Sequence, residues 1–211
     1  MIALIDYGAG NVRSVHKALM AVGADVQVTQ EAAVVLAADK VVLPGVGAFG
    51  DCMASLARLG LIAPIREVVA RGTPFLGICV GMQVLFDEGM EMGQHAGLGL
   101  LPGRVVRFDF SSLLSGEGAG VRLKVPHTGW NQVVPVIATP LLADLPDGAW
   151  AYFNHGYYCQ AQPEHTLAVA DYGGTFPCVV GRENVYGIQF HPEKSQHIGL
   201  HILRNFVSIV G

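Results

Sequence analysis

Apolar runs of β type and stretches of helical period alternate through the first half of the chain. Ile2 to Ile5, Val26 to Thr29, Val41 to Leu43 and Phe75 to Ile78 read as short strands. Between them, Val12 to Val22 and the region from Cys52 to Ala70 read as helical, the latter throughout its length. This βαβα order predicts a parallel sheet with helices on both faces. Sites in such sheets collect at the carboxyl ends of the strands. The second half is richer in β signals and is punctuated at Gly116-Glu117-Gly118, Pro126, Pro135, Pro140 and Pro146. A hairpin is predicted at Glu183-Asn184, between Cys178-Val179-Val180 and Tyr186-Gly187-Ile188, where the sheet becomes mixed. A last helix is predicted from Ser195 as N-cap, with Ile198, Ile202, Phe206 and Ile209 at near-helical spacing to pack back on the sheet. The stretch Ser111 to Gly120 reads as flexible. No repeat or linker divides the 211 residues, and the reading is one α/β domain spanning 1–211.

Composition leaves room for a partner. Hydrophobic residues make up 51% and charged residues 14%, a balance that calls for a large interior or an apolar partner surface. The formal net charge is −4 and no Lys or Arg cluster exceeds a pair, so nucleic acid and anionic membranes are not expected partners. Met1-Ile2-Ala3-Leu4-Ile5-Asp6 lacks a basic leader and reads as the first strand. No apolar stretch reaches the roughly 20 residues that span a bilayer, and the expected location is cytoplasmic. Cys52, Cys79, Cys159 and Cys178 show no C-x-x-C spacing, which argues against a structural zinc or thioredoxin-type site and leaves Cys52, Cys159 and Cys178 as structural thiols.

Cys79 is different. In Phe75-Leu76-Gly77-Ile78-Cys79-Val80-Gly81-Met82-Gln83 an apolar strand ends on a cysteine with glycine two residues to either side and turns directly into a helix. That is the layout of a nucleophile elbow. Far downstream, His191-Pro192-Glu193 offers a base and a group to orient it, which can point the same way because alternate strand residues share a face. Taken singly, the cysteine could be inert core and the His-x-Glu a metal-ligand pair or a surface pair. Their joint occurrence points to covalent catalysis. Gly45-Val46-Gly47-Ala48-Phe49-Gly50 matches a dinucleotide expression, yet the acidic ribose partner expected about 20 residues on falls within predicted helix at Glu67. The preferred reading is that backbone N–H groups of this loop face the elbow and hold an oxyanion. In Asp6-Tyr7-Gly8-Ala9-Gly10-Asn11 the third glycine is missing, and Asn11 could cap the following helix.

Pro44-Gly45-Val46-Gly47, the Gly77 to Gln83 segment and Gly187-Ile188-Gln189-Phe190-His191-Pro192-Glu193-Lys194-Ser195-Gln196 resemble the three signature segments of the class I (triad-type) glutamine amidotransferases. Within that class, Asp6 to Asn11, Pro126-His127-Thr128-Gly129-Trp130-Asn131 and the Glu-Lys-Ser-Gln ending resemble the glutaminase subunits of imidazole glycerol phosphate synthases. The resemblance runs from Ile2 to about Phe206. It implies a flavodoxin-like, mixed, mostly parallel sheet, and a glutaminase with Cys79, His191 and Glu193 as triad. The oxyanion would be held by N–H groups of Val80, Val46 and Gly47. Glutamine would lie against Gly47, Gln83 and the backbone at His155-Gly156, although Gln83 also reads as a helix-surface residue. Ammonia would pass to a (β/α)8-barrel cyclase subunit in a heterodimer, with Asn11, Trp130, Asn131 and Lys194 near the interface; Trp130 also reads as a core tryptophan. No cofactor or metal is implied. The family's behaviour and the loop's glycines imply that partner binding corrects the Pro44 to Gly47 peptide. One departure stands out: the family usually has valine and serine where Asn154 and Gly156 flank His155, so a weaker glutamine site is expected. Two other readings compete, a cysteine peptidase or chaperone on a similar sheet, and a binding subunit with a vestigial triad.

Overall fold

The computed structural model describes residues 1–8, 10–110 and 123–210. The flexibility expected for Ser111 to Gly120, and the glycine turn within it, fall outside the described residues. Strand β1 (Ile2–Ile5) is buried at all four positions, as a strand covered on both faces must be. Helix α1 (Val12–Ala21) turns Val12, Val15, Ala18 and Leu19 inward, a single helical stripe. Then follow β2 (Val26–Thr29), α2 (Ala32–Ala37), β3 (Lys40–Gly45), α3 (Phe49–Arg58), α4 (Ile62–Ala70), β4 (Phe75–Cys79) and the single turn α5 (Val80–Gln83). The six residues of α2 are all apolar, so no polar face marks their period, and the sequence pattern does not reveal them. The single helix expected from Cys52 to Ala70 is two. Gly60, at φ 67°, lets the chain leave α3, and Leu61 N–H closes the turn on Leu56 O at 3.0 Å.

The second half supplies β5 (Phe86–Gly89), β6 (His95–Ala96), β7 (Leu101–Arg107), β8 (His127–Gln132), β9 (Val134–Pro135), β10 (Trp150–His155), β11 (Tyr157–Ala161), β12 (Thr166–Asp171), β13 (Thr175–Arg182), β14 (Val185–Ile188) and α6 (Gln196–Ser208). The main sheet has the order β2-β1-β3-β4-β14-β13-β12-β9. Strands β2, β1, β3, β4 and β14 run parallel, and β13, β12 and β9 are antiparallel, so the sheet is mixed and mostly parallel as expected. The chain moves one way across the sheet from β1 to β2 and the other way from β2 to β3. Right-handed crossovers therefore place α1 and α2 on opposite faces, and α1 packs with α6 while α2 packs with α4. The predicted hairpin joins β13 to β14 with Glu183 at φ 53°.

Ile198, Ile202 and Phe206 of α6 are buried as predicted, whereas Ile209 lies just past the helix end. Two smaller sheets flank the carboxyl edge, β10-β8 and β11-β7-β5-β6. Gly156 alone separates β10 from β11, so it is the corner at which the chain passes from one small sheet to the other. Cys52, Cys159 and Cys178 are free and buried. Burial pushes the Cys52 thiol up to about 11 and holds the other two well above the usual range, which leaves them inert as nucleophiles.

Candidate active site

Four parallel strands, β1, β3, β4 and β14, end at one edge and bring the singled-out segments together. Gly45, the last residue of β3, pairs with Cys79, the last of β4. Cys79 adopts φ 56° and ψ −114° as the chain turns into α5, a strained elbow. It opens on a cleft of about 680 Å³ that is also lined by Val46, Gly47, Val80, Gln83, His155, Gly156, His191, Asn11 and Lys194. Val80 begins α5, so its N–H has no acceptor within that turn. Gly47 has φ 96°, a backbone conformation that favours glycine. Behind this loop, Tyr7 Oη donates to Cys52 Sγ at 3.3 Å, and Cys52 Sγ reaches Val46 O at 3.8 Å.

The alignment of His191 with Glu193 has another origin than strand alternation. Strand β14 stops at Ile188, and Pro192–Lys194 forms a 3-10 turn with proline in its first position. This turn carries the Glu193 carboxylate back to His191, Nδ1 to Oε1 2.9 Å, with the two side chains 3% and 1% exposed. An ionised carboxylate only accepts, so Nδ1 carries the hydrogen and Nε2 is left for Cys79. Burial works against a charge on His191, but hydrogen bonds to Cys79 and Glu193 outweigh it and hold the imidazole up at about 9. Burial likewise opposes the charge on Glu193, and the bond to His191 holds its carboxyl below the usual range.

Two expected helix caps are spent on this arrangement. Ser195 Oγ donates to His191 O at 2.6 Å and accepts from Tyr152 N–H at 2.9 Å, so it braces the histidine backbone and makes no side-chain cap on α6. Asn11 occupies the N-cap position of α1 at φ 77° without a side-chain cap bond. Its Nδ2 donates to Glu193 Oε1 at 2.7 Å, across 182 residues of sequence. Glu193 Oε2 is buried with no hydrogen-bond partner among the described residues, so Oε1 takes both bonds.

Gln83 is buried and faces the cleft, contrary to the helix-surface reading. Its Nε2 donates to Tyr157 O and to Gln189 Oε1, both at 3.1 Å, and Gln189 Nε2 lies 3.8 Å from Cys79 Sγ. Trp130 is 45% exposed, which removes the core reading; its ring meets Tyr152 edge-on at 6.2 Å, and Lys194 Nζ lies 5.6 Å over the same Tyr152 ring. Asn131, next along β8, turns its amide to the other face, toward His127 and Asp171 O. Asn154 opposes Thr128 across β10-β8 and accepts its hydroxyl hydrogen at 3.0 Å, a bond that valine could not make. Sequence reasoning missed Glu91, which lines the cleft and accepts from Phe49 N–H at 2.8 Å; an acidic residue in a short loop carries no signal of that position. It also missed Gln189, although the segment that contains it was singled out. Among the described residues no group of three or more His, Cys, Asp or Glu is arranged to hold a metal ion, and no helix is long and apolar enough to cross a membrane.

The histidine and carboxylate shifts make a pH prediction. A raised histidine contributes stability in full below its unfolded value of about 6.5 and loses it as pH rises through the folded value. A depressed carboxylate contributes above its unfolded value of about 4.3 and loses it as pH falls. The difference in Tm between wild type and His191→Asn is therefore expected to be largest near pH 5 to 6.5 and to shrink toward pH 9.5. A difference that stays constant over that range would contradict the assigned pair.

A glutamine amidotransferase class-I family model matches residues 3–210. A solved glutamine amidotransferase superposes with a TM-score of 0.71 at 18% identity, over 99% of this chain and 100% of the other, and the PurLQS structure from Thermotoga maritima with 0.70 at 19%, over 97% and 96%. At these identities the structures speak for the fold. With the family match, they establish that the chain belongs to the class I glutamine amidotransferases. Its sequence is 51% identical over 207 residues to the imidazole glycerol phosphate synthase subunit HisH of Syntrophotalea carbinolica, covering 98% of both chains. It is 47% identical to that of Salinibacter ruber over 99% of this chain and 94% of the relative. The chain is a member of this subunit's family, a glutaminase of the amidotransferase type.

Proposed function

We propose that Cys79 is the nucleophile of the glutaminase reaction, with His191 as its acid–base partner and Glu193 as the group that orients the imidazole. The observation that carries this reading is the elbow cysteine at φ 56°, facing the cleft beside a histidine bonded to a buried glutamate. His191 takes the Cys79 thiol proton as Sγ attacks the side-chain carbonyl carbon of glutamine; a C–S bond forms, and the C–N bond breaks as His191 passes that proton to the departing ammonia. His191 then takes a proton from water, whose oxygen displaces the sulfur and releases glutamate. The N–H groups of Val80 and of the Val46-Gly47 loop stabilise the oxyanion in both steps. Glutamine itself lies against Gly47, Gln83 and the His155-Gly156 backbone.

The released ammonia passes directly to the cyclase subunit of imidazole glycerol phosphate synthase, a (β/α)8 barrel, within a cytoplasmic heterodimer of histidine biosynthesis. The docking face includes the exposed Trp130 and its neighbours Tyr152 and Lys194, and Asn11 and Asn131 belong near it; Trp150, 51% exposed, extends the apolar surface. Glutamate release is measured with the chain alone and with the cyclase subunit plus its ribonucleotide ligand. A sharp rise with the liganded partner supports coupled delivery. Equal release in both conditions removes the coupling.

Two variants probe the glutamine pocket. Free glutamine carries an α-ammonium, and Glu91 supplies the matching charge in the cleft. Glu91→Gln keeps an oxygen to accept from Phe49 N–H but loses the charge, and is expected to raise the KM for glutamine by about tenfold or more. An unchanged KM would release Glu91 from this role. A Cβ on Gly156 would lie 3.4 Å from Val125 Cγ1, an ordinary contact, so Gly156→Ser fits. Its hydroxyl is expected to lower the KM several-fold; no change would show that the backbone alone makes this contact.

A further inference from the structure

His127 and His155 lie outside the hydrolytic scheme, yet both rings are buried and bonded to each other. They are direct partners across β8 and β10, with His127 Nδ1 to His155 Nε2 at 3.0 Å. His155 Nδ1 lies 2.8 Å from Tyr157 O. A carbonyl oxygen can only accept, so Nδ1 of His155 carries a hydrogen. Burial holds His127 down at about 4 and His155 at about 3, so each ring is neutral and has one hydrogen to give. His155 Nε2 is then an acceptor and His127 Nδ1 its donor. His127 Nε2 in turn accepts from Asn131 Nδ2 at 3.3 Å. The Asn131 amide is itself oriented: Oδ1 accepts from Gln132 N–H at 2.8 Å, and Nδ2 also donates to Asp171 O at 2.7 Å. Every donor and acceptor from Asn131 to Tyr157 O is thereby determined, and all donate in one direction, toward the cleft.

The end of this chain is the wall of the glutamine pocket. Tyr157 O also accepts from Gln83 Nε2, and Gly156 is the corner just before it. A glycine corner has little stiffness of its own, so its geometry is set by its bonds: Gly156 O accepts from Phe108 N–H at 3.2 Å, and Tyr157 O, one residue on, is held by Gln83 and His155. We propose that His127 and Asn131 are positioning residues of the glutaminase site. Acting through the His155 ring, they hold the Tyr157 carbonyl, and with it Gln83 and the Gly156 corner, in the geometry that receives glutamine. This rests on the glutaminase reading above. His127 is gripped for the task between Phe153 and Tyr172, with ring centroids 4.9 and 4.0 Å away and both rings at 24° to it.

The test uses the complex with the cyclase subunit and has a kinetic and a spectroscopic arm. His127→Phe keeps an aromatic ring between Phe153 and Tyr172 but gives no hydrogen to His155. It is expected to raise the KM for glutamine about tenfold while kcat stays within about twofold. His127→Asn restores a donor at the Nδ1 position and is expected to recover most of the loss. Long-range proton–nitrogen spectra of wild-type protein labelled on histidine nitrogen are expected to show two rings in the Nδ1–H tautomer, unmoved between pH 5.5 and 8. A wild-type KM in active His127→Phe, or Nε2–H tautomers for these rings in wild type, overturns the proposal. Should His127→Phe fail to fold, His127→Asn and the wild-type spectrum decide it. Absence of glutamate release from wild type, with Cys79→Ala as the blank, would instead sink the glutaminase reading and the positioning role with it, a result distinguishable from an active enzyme with unchanged KM.

Discussion

Cys79→Ala lowers glutamate release by about 10⁴-fold or more, because a triad that loses its nucleophile has no covalent route left and the remaining groups act only as a weak general-base site. The fold survives the change. Cys79 is already at φ 56°, and alanine meets the same backbone strain there as cysteine does, so the elbow's conformation has no new reason to relax. The removed atom makes one long contact, to Gln189 Nε2 at 3.8 Å, whose loss costs about 1 kcal/mol. The measurement is glutamate release by the variant with its liganded partner, beside a thermal melt. Activity above about one per cent of wild type with an intact melt would remove Cys79 from the nucleophile's role and revive the vestigial-triad reading.

Gly81→Ala is expected to be among the most damaging single-methyl changes near the site. A Cβ at Gly81 would lie 1.9 Å from Leu43 O and 2.9 Å from Leu43 C. The contact is with the backbone of β3 and no side-chain rotation relieves it. The same crowding recurs from the other two sides: a Cβ at Gly45 would come within 2.4 Å of Gly81 N, and one at Gly77 within 2.4 Å of Gly81 O. Three glycines on β3, β4 and α5 thus let the elbow press against two strands at once. Adding the methyl group must push α5 away from β3, at a cost of about 3 kcal/mol or more. For a chain of this size that corresponds to a fall in Tm of roughly 6 to 12 °C. Displacement of Cys79 from His191 would remove most activity even in molecules that stay folded. A Tm and activity both near wild type would mean that the elbow has freedom that these contacts deny.

The elbow and the triad were legible because each is written in a short stretch of chain. Gly77, Cys79 and Gly81 state the close approach and the exposed thiol, and His191 and Glu193 are two residues apart. Their alignment was legible but its cause was not: alternation along a strand and a 3-10 turn both bring residues i and i+2 near each other, and Pro192 tips the choice to the turn. The caps show the opposite case. Asn11 and Ser195 stand where helices begin, and local chemistry favours capping, but Asn11 turns to a buried carboxylate 182 residues away and Ser195 to the buried His191 carbonyl and the Tyr152 N–H that folding brings to it. Local pattern alone leaves Gln83 open to a helix-surface reading, because α5 continues a helical pattern; the single turn is roofed by β11, whose Tyr157 carbonyl no local pattern can place.

The order of strands and helices, the covering of both sheet faces, the glycines at the elbow and the identity of the three candidate catalytic groups follow from local pattern, since propensity, period and close packing act over a few residues. The site as a working unit does not. It requires β1, β3, β4 and β14 to end at one edge, Asn11 to reach Glu193 across 182 residues, and His127 to face His155 across β8 and β10. These relations depend on which strands pair and in what register, and that is settled by burial over the whole core, where every contact competes with many others of similar energy.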